Sequence, residues 1–217
     1  MYKACIFDLD GTLTDTLESL TYSVNETLRR LGMASITEEQ CRRFVGDGAR
    51  ALIERALIAS GDEELQNIEE GMKIYGEVFA VNCIRAVAPY EGIVPMLEKM
   101  KERGMKLAVL SNKPDAQTKM VVSQFFGTEI FDWVQGQRDD VPKKPDPAAV
   151  FEIMDRLGVT QDETIYVGDS DVDMKTGKSA GVFTVGVTWG FRSREVLVEA
   201  GADLIADEAE TLLECER

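Results

Sequence analysis

The segment Cys5-Ile6-Phe7-Asp8-Leu9-Asp10-Gly11-Thr12-Leu13-Thr14-Asp15 decides how this chain is read. An apolar run of the kind that is buried in a sheet ends in two carboxylates one residue apart, followed by Gly and Thr. Such an ending is costly as structure alone, because clustered carboxylates repel and resist burial. A divalent cation relieves the cost, since hard cations prefer oxygen ligands. In that reading Asp8 is a nucleophile and Asp10 a general acid/base beside it. The alternative is an acidic turn that merely closes a strand.

The same design recurs along the chain. Short apolar runs at Ala4 to Phe7, Lys106 to Leu110, Trp133 to Val134, Thr164 to Val167, Val182 to Val187 and Leu204 to Ala206 each meet a polar or glycine-rich stop. Helical-period segments lie between them, at Ile93 to Arg103, Asp115 to Phe126 and Pro147 to Leu157. This alternation predicts an α/β fold, a doubly wound parallel sheet of Rossmann type covered on both faces. From about Leu17 to Ala88 the alternation stops. Leu17, Leu20, Val24, Leu28 and Leu31 form one helical stripe, and Leu65, Ile68, Met72, Tyr75 and Phe79 another. The expected organisation is a core of residues 1–16 and 87–217 with a helical insert at 17–86. Ligands of such sheets sit at the carboxyl ends of the strands, where strand order reverses.

Composition narrows the chemistry. The 217 residues carry a net charge of −15, which argues against nucleic-acid or anionic-membrane partners. Phosphate recognition would need local positive charge from a metal, lysines or helix N-termini. Cys5, Cys41, Cys83 and Cys215 are scattered without metal or disulfide spacing. The chain has no histidine, which excludes Ser-His and Cys-His catalysis and His-ligated metals within it. With no leader-like or membrane-spanning run, a cytoplasmic location is expected.

Three further segments follow apolar runs or flank helices. Ser111-Asn112-Lys113-Pro114-Asp115 offers a hydroxyl and backbone N–H groups to an anion, or is a turn that starts a helix. Pro142-Lys143-Lys144-Pro145-Asp146-Pro147 restricts a lysine between prolines, or is a solvated turn. Ile165-Tyr166-Val167-Gly168-Asp169-Ser170-Asp171-Val172-Asp173 again ends a strand in acids. Asp169 and Asp173 are spaced by one helical turn and can face one point, or they serve a helix dipole as N-terminal acids.

Taken in order, these segments resemble the haloacid dehalogenase superfamily. Asp8, Asp10 and Thr12 match its Asp-x-Asp-x-Thr motif and Ser111 its Ser/Thr motif. Lys144 matches the lysine of Lys-Pro-x-Pro, and Gly168, Asp169 and Asp173 match Gly-Asp-x-x-x-Asp. The resemblance covers essentially the whole chain. It implies Mg²⁺ held by Asp8, the Asp10 backbone carbonyl and Asp169, with Asp173 in support directly or through water. It further implies attack by Asp8 on phosphorus, acid/base work by Asp10, phosphoryl binding by Ser111 and charge compensation by Lys144. Thr12 braces the loop rather than reacting and is counted among the candidate substrate-binding residues. Dehalogenases of the superfamily lack the second carboxylate, so Asp10 favours phosphoryl transfer.

Asn112 and Lys113 continue the second motif as in phosphoglycolate phosphatases, which makes both candidate substrate contacts. The insert is similar to the superfamily's small helical cap, and Phe44 to Leu52 and Gly186 to Phe191 resemble phosphoglycolate phosphatases. Arg50 either meets a substrate carboxylate or pairs with Glu54 on the surface, the second being favoured. The leading expectation is a phosphatase of a small phosphorylated metabolite, monomeric or dimeric. Behind it stand a phosphomutase of β-phosphoglucomutase type, a pyrophosphate or nucleotide phosphatase of the same fold, and a non-catalytic binding protein.

Overall fold

The computed structural model describes residues 2–215 in two units, one running up to Asp15 and resuming at Pro89, the other Thr16–Ala88. The helices, in chain order, are α1 Leu17–Arg30, α2 Glu38–Phe44, α3 Ala49–Ala59, α4 Ile68–Asn82, α5 Ile93–Glu102, α6 Asp115–Phe126, α7 Ala148–Leu157, α8 Asp171–Ala180 and α9 Arg194–Glu199.

The first unit is built on a six-stranded sheet. Its strands are β1 Ala4–Phe7, β2 Lys106–Pro114, β3 Trp133–Gln137, β4 Thr164–Gly168, β5 Phe183–Val187 and β6 Leu204–Ala206. Their spatial order is β3-β2-β1-β4-β5-β6, and neighbours run parallel. Two two-residue strands, Thr14–Asp15 and Ala88–Pro89, are left out of this numbering. The order reverses beside β1, which is where open sheets of this kind bind ligands.

Burial on both faces explains why the strands read as unbroken apolar runs. Ala4, Ile6, Ala108, Leu110 and Tyr166 pack with Val150, Ile153 and Leu157 of α7 on one face. The alternate residues Cys5, Phe7, Leu107, Val109, Ile165 and Val167 are equally buried on the other. Register then delivers the site. Phe7 lies beside Val109 on one side and Val167 on the other, so Asp8 emerges level with Leu110 and Gly168. The Asp8 N–H still bonds the Val167 carbonyl at 2.9 Å, so its backbone is held as firmly as the strand.

Strand β2 departs from the sequence expectation. It does not stop at Leu110 but runs to Pro114, with a bulge: Leu110 pairs with Gln135, and Pro114 with Gln137. Four residues on β2 thus span two on β3. A bulge re-aims side chains, and this one carries Ser111, Asn112 and Lys113.

The Thr16–Ala88 unit is helical. Leu20, Val24 and Leu28 of α1 are buried in it, with Ile53, Ala56 and Leu57 of α3 and Ile74, Tyr75, Val78 and Phe79 of α4. Thr37 closes a capping box with Gln40 at the start of α2. One expectation is corrected here. Leu65 does not join the α4 stripe; it precedes the helix in a left-handed conformation, at φ 54°. No helix among the described residues is long and apolar enough to cross a membrane.

Candidate active site

The loop after β1 is shaped by Gly11. Its φ of +88° is unfavourable for any residue with a side chain, and a Cβ there would lie 2.3 Å from the Asp169 carboxylate. The turn closes on itself, with the N–H groups of Leu13 and Thr14 both bonding the Leu9 carbonyl at 3.0 Å. Thr12 donates its hydroxyl to Asp169 at 3.2 Å, so it braces an acid rather than presenting itself to solvent.

Three carboxylates converge at the carboxyl edge of β1 and β4. Oxygens of Asp8, Asp169 and Asp173 lie within 4.8 Å of one another, and all three residues are buried. Asp169 sits just before the Ser170 N-cap of α8, and Asp173 is in its first turn. The two therefore meet across a helix start, not along one helix face. Ser170 and Asp173 form a capping box, with the Ser170 hydroxyl 2.5 Å from Asp173 Oδ2. Asp173 Oδ1 accepts from Lys144 at 2.7 Å and from the Tyr166 hydroxyl at 3.3 Å.

Lys144 is the cation among these acids. Its ammonium donates to Asp8 at 2.8 Å, to Asp173 at 2.7 Å and to the Leu110 carbonyl at 3.2 Å, and only 3 % of the residue is exposed. Asn112 fixes it in place. Both ends of that amide bond the Lys144 backbone, Nδ2 to its carbonyl at 3.1 Å and Oδ1 from its N–H at 3.0 Å. Asn112, expected at the substrate, is thus engaged in tying β2 to the lysine loop.

One ammonium does not balance three buried carboxylates. Burial, with the charge of Asp173 added, pushes the Asp8 carboxyl up to about 7 although Lys144 pulls it down. Burial likewise holds Asp169 well above the usual carboxylate range, reinforced by Asp173 and Asp8. Burial alone would lower Lys144, but Asp173 and Asp8 outweigh it and hold the ammonium well above its ordinary value. An all-oxygen donor set with surplus negative charge fits a hard divalent cation. The Asp10 carboxylate is not part of this cluster. It is gripped through both oxygens by Lys113, at 2.6 and 2.8 Å.

Ser111 is buried beside them, its hydroxyl accepting from the Lys113 N–H at 3.2 Å. Arg50, in the helical unit, pairs with Glu54 at 3.0 Å and with Glu69 at 2.9 Å on an exposed surface. Sequence reasoning did not find Tyr166, or the support given by residues 189–191. The Trp189 indole donates to the Thr12 carbonyl at 2.9 Å, and the Phe191 N–H to Asp169 at 2.7 Å. Between them Gly190 is crowded: a Cβ would stand 2.3 Å from the Asp169 Cβ and 2.4 Å from the Gly11 carbonyl.

Comparisons with known proteins show which family the chain resembles. The family described as haloacid dehalogenase-like hydrolase matches residues 5–187. Phosphoglycolate phosphatase 1 of Pseudomonas aeruginosa is 32% identical over 98% of this chain and 79% of its own length. Phosphoglycolate phosphatase of Rhodospirillum rubrum is 34% identical over 98% and 90%. A crystal structure from Lactobacillus delbrueckii subsp. bulgaricus, provisionally described as a phosphoglycolate phosphatase, superposes with a TM-score of 0.90. It is 30% identical and covers 98% of this chain and 97% of that one. The chain belongs to the haloacid dehalogenase-like hydrolases. Within that family its place is among the phosphoric monoester hydrolases.

Proposed function

We propose that this protein is a Mg²⁺-dependent phosphatase of a small phosphate monoester, with phosphoglycolate the leading substrate, acting through a phosphoryl group carried on Asp8. The observation that carries the reading is the Asp8, Asp169 and Asp173 cluster bridged by Lys144. The substrate assignment is supported by the relatives that bear that name. The acidic net charge accords with a small metabolite in the cytoplasm rather than nucleic acid or membrane.

Mg²⁺ would be held by Asp8, Asp169 and the Asp10 backbone carbonyl, with Asp173 in support. When bound it offsets negative charge on the phosphoryl group and favours the ionised form of Asp8. Every other task falls to the chain. Lys144 lowers the repulsion between Asp8 and an arriving dianion. Ser111 and nearby N–H groups hold phosphoryl oxygens. A carboxylate oxygen of Asp8 attacks phosphorus as the bond to the leaving oxygen breaks. That bond's electron pair stays on the leaving oxygen, which takes a proton from Asp10. Water then attacks the phosphorus of the aspartyl phosphate. Asp10, now a carboxylate, removes the water's proton, and inorganic phosphate leaves with Asp8 restored. Fixed donors at the strand ends keep these groups aligned.

The test is phosphate release from a panel of small phosphate esters, with and without Mg²⁺, by wild type and Asp8→Asn. Mg²⁺-dependent release that vanishes in Asp8→Asn, with phosphoglycolate the preferred ester, supports the assignment. Release that persists in Asp8→Asn refutes the mechanism, and preference for another ester refutes the substrate.

A further inference from the structure

The ion pair between Lys113 and Asp10 is not accounted for by any role given above. Lys113 lies in the β2 bulge, three residues beyond Leu110, where the regular ladder with β3 ends, and only 6 % of it is exposed. Its ammonium contacts both oxygens of Asp10, at 2.6 and 2.8 Å. The pairing spans 103 residues of sequence and joins the β1 loop to the bulge. A carboxylate on a short side chain next to a glycine in a turn has several rotamers open to it. Two contacts from one buried ammonium leave it one orientation. The bulge backbone is itself pinned: the Lys113 N–H bonds Ser111, and the Lys113 carbonyl accepts from Thr118 at 3.1 Å.

We propose that Lys113 is a positioning residue for Asp10, aiming the carboxyl group at the leaving oxygen, and not a ligand of the phosphoryl group. This rests on the reading of Asp10 as the acid that protonates the leaving group. An ammonium can keep one of its two contacts and free the other oxygen, which then carries the proton given to the leaving oxygen and takes one back from the attacking water. The geometry also explains why a lysine follows Ser111 and Asn112 here. Asn112 anchors Lys144 and Lys113 anchors Asp10, while the Ser111 hydroxyl accepts from the Lys113 N–H, so one backbone segment sets two charged groups.

The proposal has a signature that simple structural support lacks. Protonation matters for a poor leaving group such as an alkoxide and little for p-nitrophenolate. Lys113→Met is therefore compared with wild type on an alkyl phosphate (phosphoglycolate) and on p-nitrophenyl phosphate through kcat/KM, which reports phosphoryl transfer to Asp8 and leaves out the hydrolysis of the aspartyl phosphate that both esters share. General acids contribute about 10²–10⁴-fold, and a misplaced one loses much of that. The expected result is a fall of about 10–100-fold in kcat/KM on the alkyl ester and under about threefold on the aryl ester. The ratio of the two losses does not depend on how much of the variant is folded. Asp10→Asn should show the same selectivity, and Lys113→Met added to it should cost nothing further on either ester. Equal losses in kcat/KM on both esters, or additional loss in the Asp10→Asn background, would overturn the proposal and make Lys113 a phosphoryl contact. If Asp10→Asn itself lacks the selectivity, the acid assignment fails, and this inference with it.

Discussion

Lys144→Met removes the cation shared by Asp8 and Asp173 while keeping a side chain of similar length. Lys144, Asp8 and Asp173 are all buried, so the two carboxylates lose a partner that water cannot replace. Breaking a buried ion pair by removing one partner costs about 3–5 kcal/mol. At about 2–4 °C per kcal/mol for a chain of this size, melting of the metal-free protein should fall by about 6–20 °C. Both tryptophans, Trp133 and Trp189, lie in the unit that carries the sheet, so intrinsic fluorescence follows that unit alone.

The pH dependence of the deficit follows from the shifted carboxyls. Asp8 is raised from 3.8 to about 7 in the folded protein, so its contribution is full below its unfolded value and lost as pH rises through about 7. Lys144 lowers Asp8, so its removal raises Asp8 further, and the variant loses more stability over the same rise. Lys144 itself is held above its ordinary value and stays charged throughout that window. The melting deficit should therefore be larger near about pH 8 than near about pH 5, and saturating Mg²⁺ should shrink it. A Lys144→Met protein that melts within about 2 °C of wild type near about pH 8 would refute the charge-balance account, as would a deficit that ignores pH.

Two other outcomes are expected. Mg²⁺ affinity measured calorimetrically should weaken as pH falls below about 7, approaching at least about tenfold per pH unit, because Asp8, and Asp169 likewise held up by burial, must release their protons to serve as ligands; affinity that stays flat from about pH 8 to about pH 5 contradicts the ligand assignment. Gly190→Ala places a Cβ 2.3 Å from the Asp169 Cβ, so Asp169 must shift. Mg²⁺ affinity should drop by about 10–100-fold, and an unchanged dissociation constant would show that Asp169 does not depend on this contact.

The sheet was legible because each central strand is an apolar run buried on both faces and stopped abruptly by polar residues. Strand β1 carries the expected bounds for that reason, and the edge strand β6, half-buried at Leu204 and Ile205, carries them too. The continuation of β2 beyond Leu110 was not legible, since Ser111-Asn112-Lys113 reads locally as a turn and becomes strand only by pairing with β3 across a bulge. The same cause hid the work of Asn112 and Lys113. Their partners, Lys144 and Asp10, are 32 and 103 residues away, and no local pattern names them. Thr12 was legible as a brace, although the acid it braces was not. Leu65 fitted the α4 stripe by spacing but lies in a left-handed turn before it. Ser170 and Asp173 had a local signal, a Ser-x-x-Asp helix start, which had been read only for its acids. Trp189 stood out only within the Gly186 to Phe191 resemblance, and its contact with the Thr12 carbonyl, 177 residues away, had no local signal.

The most direct test of the central claim is to quench wild-type protein with acid during turnover of phosphoglycolate with Mg²⁺ and map the covalent phosphoryl group by peptide mass spectrometry. The account predicts a phosphoryl group on Asp8, lost on chase with water and absent from Asp8→Asn. Turnover with the phosphoryl group on another residue, or with none trapped on Asp8 under conditions that preserve acyl phosphates, would contradict it.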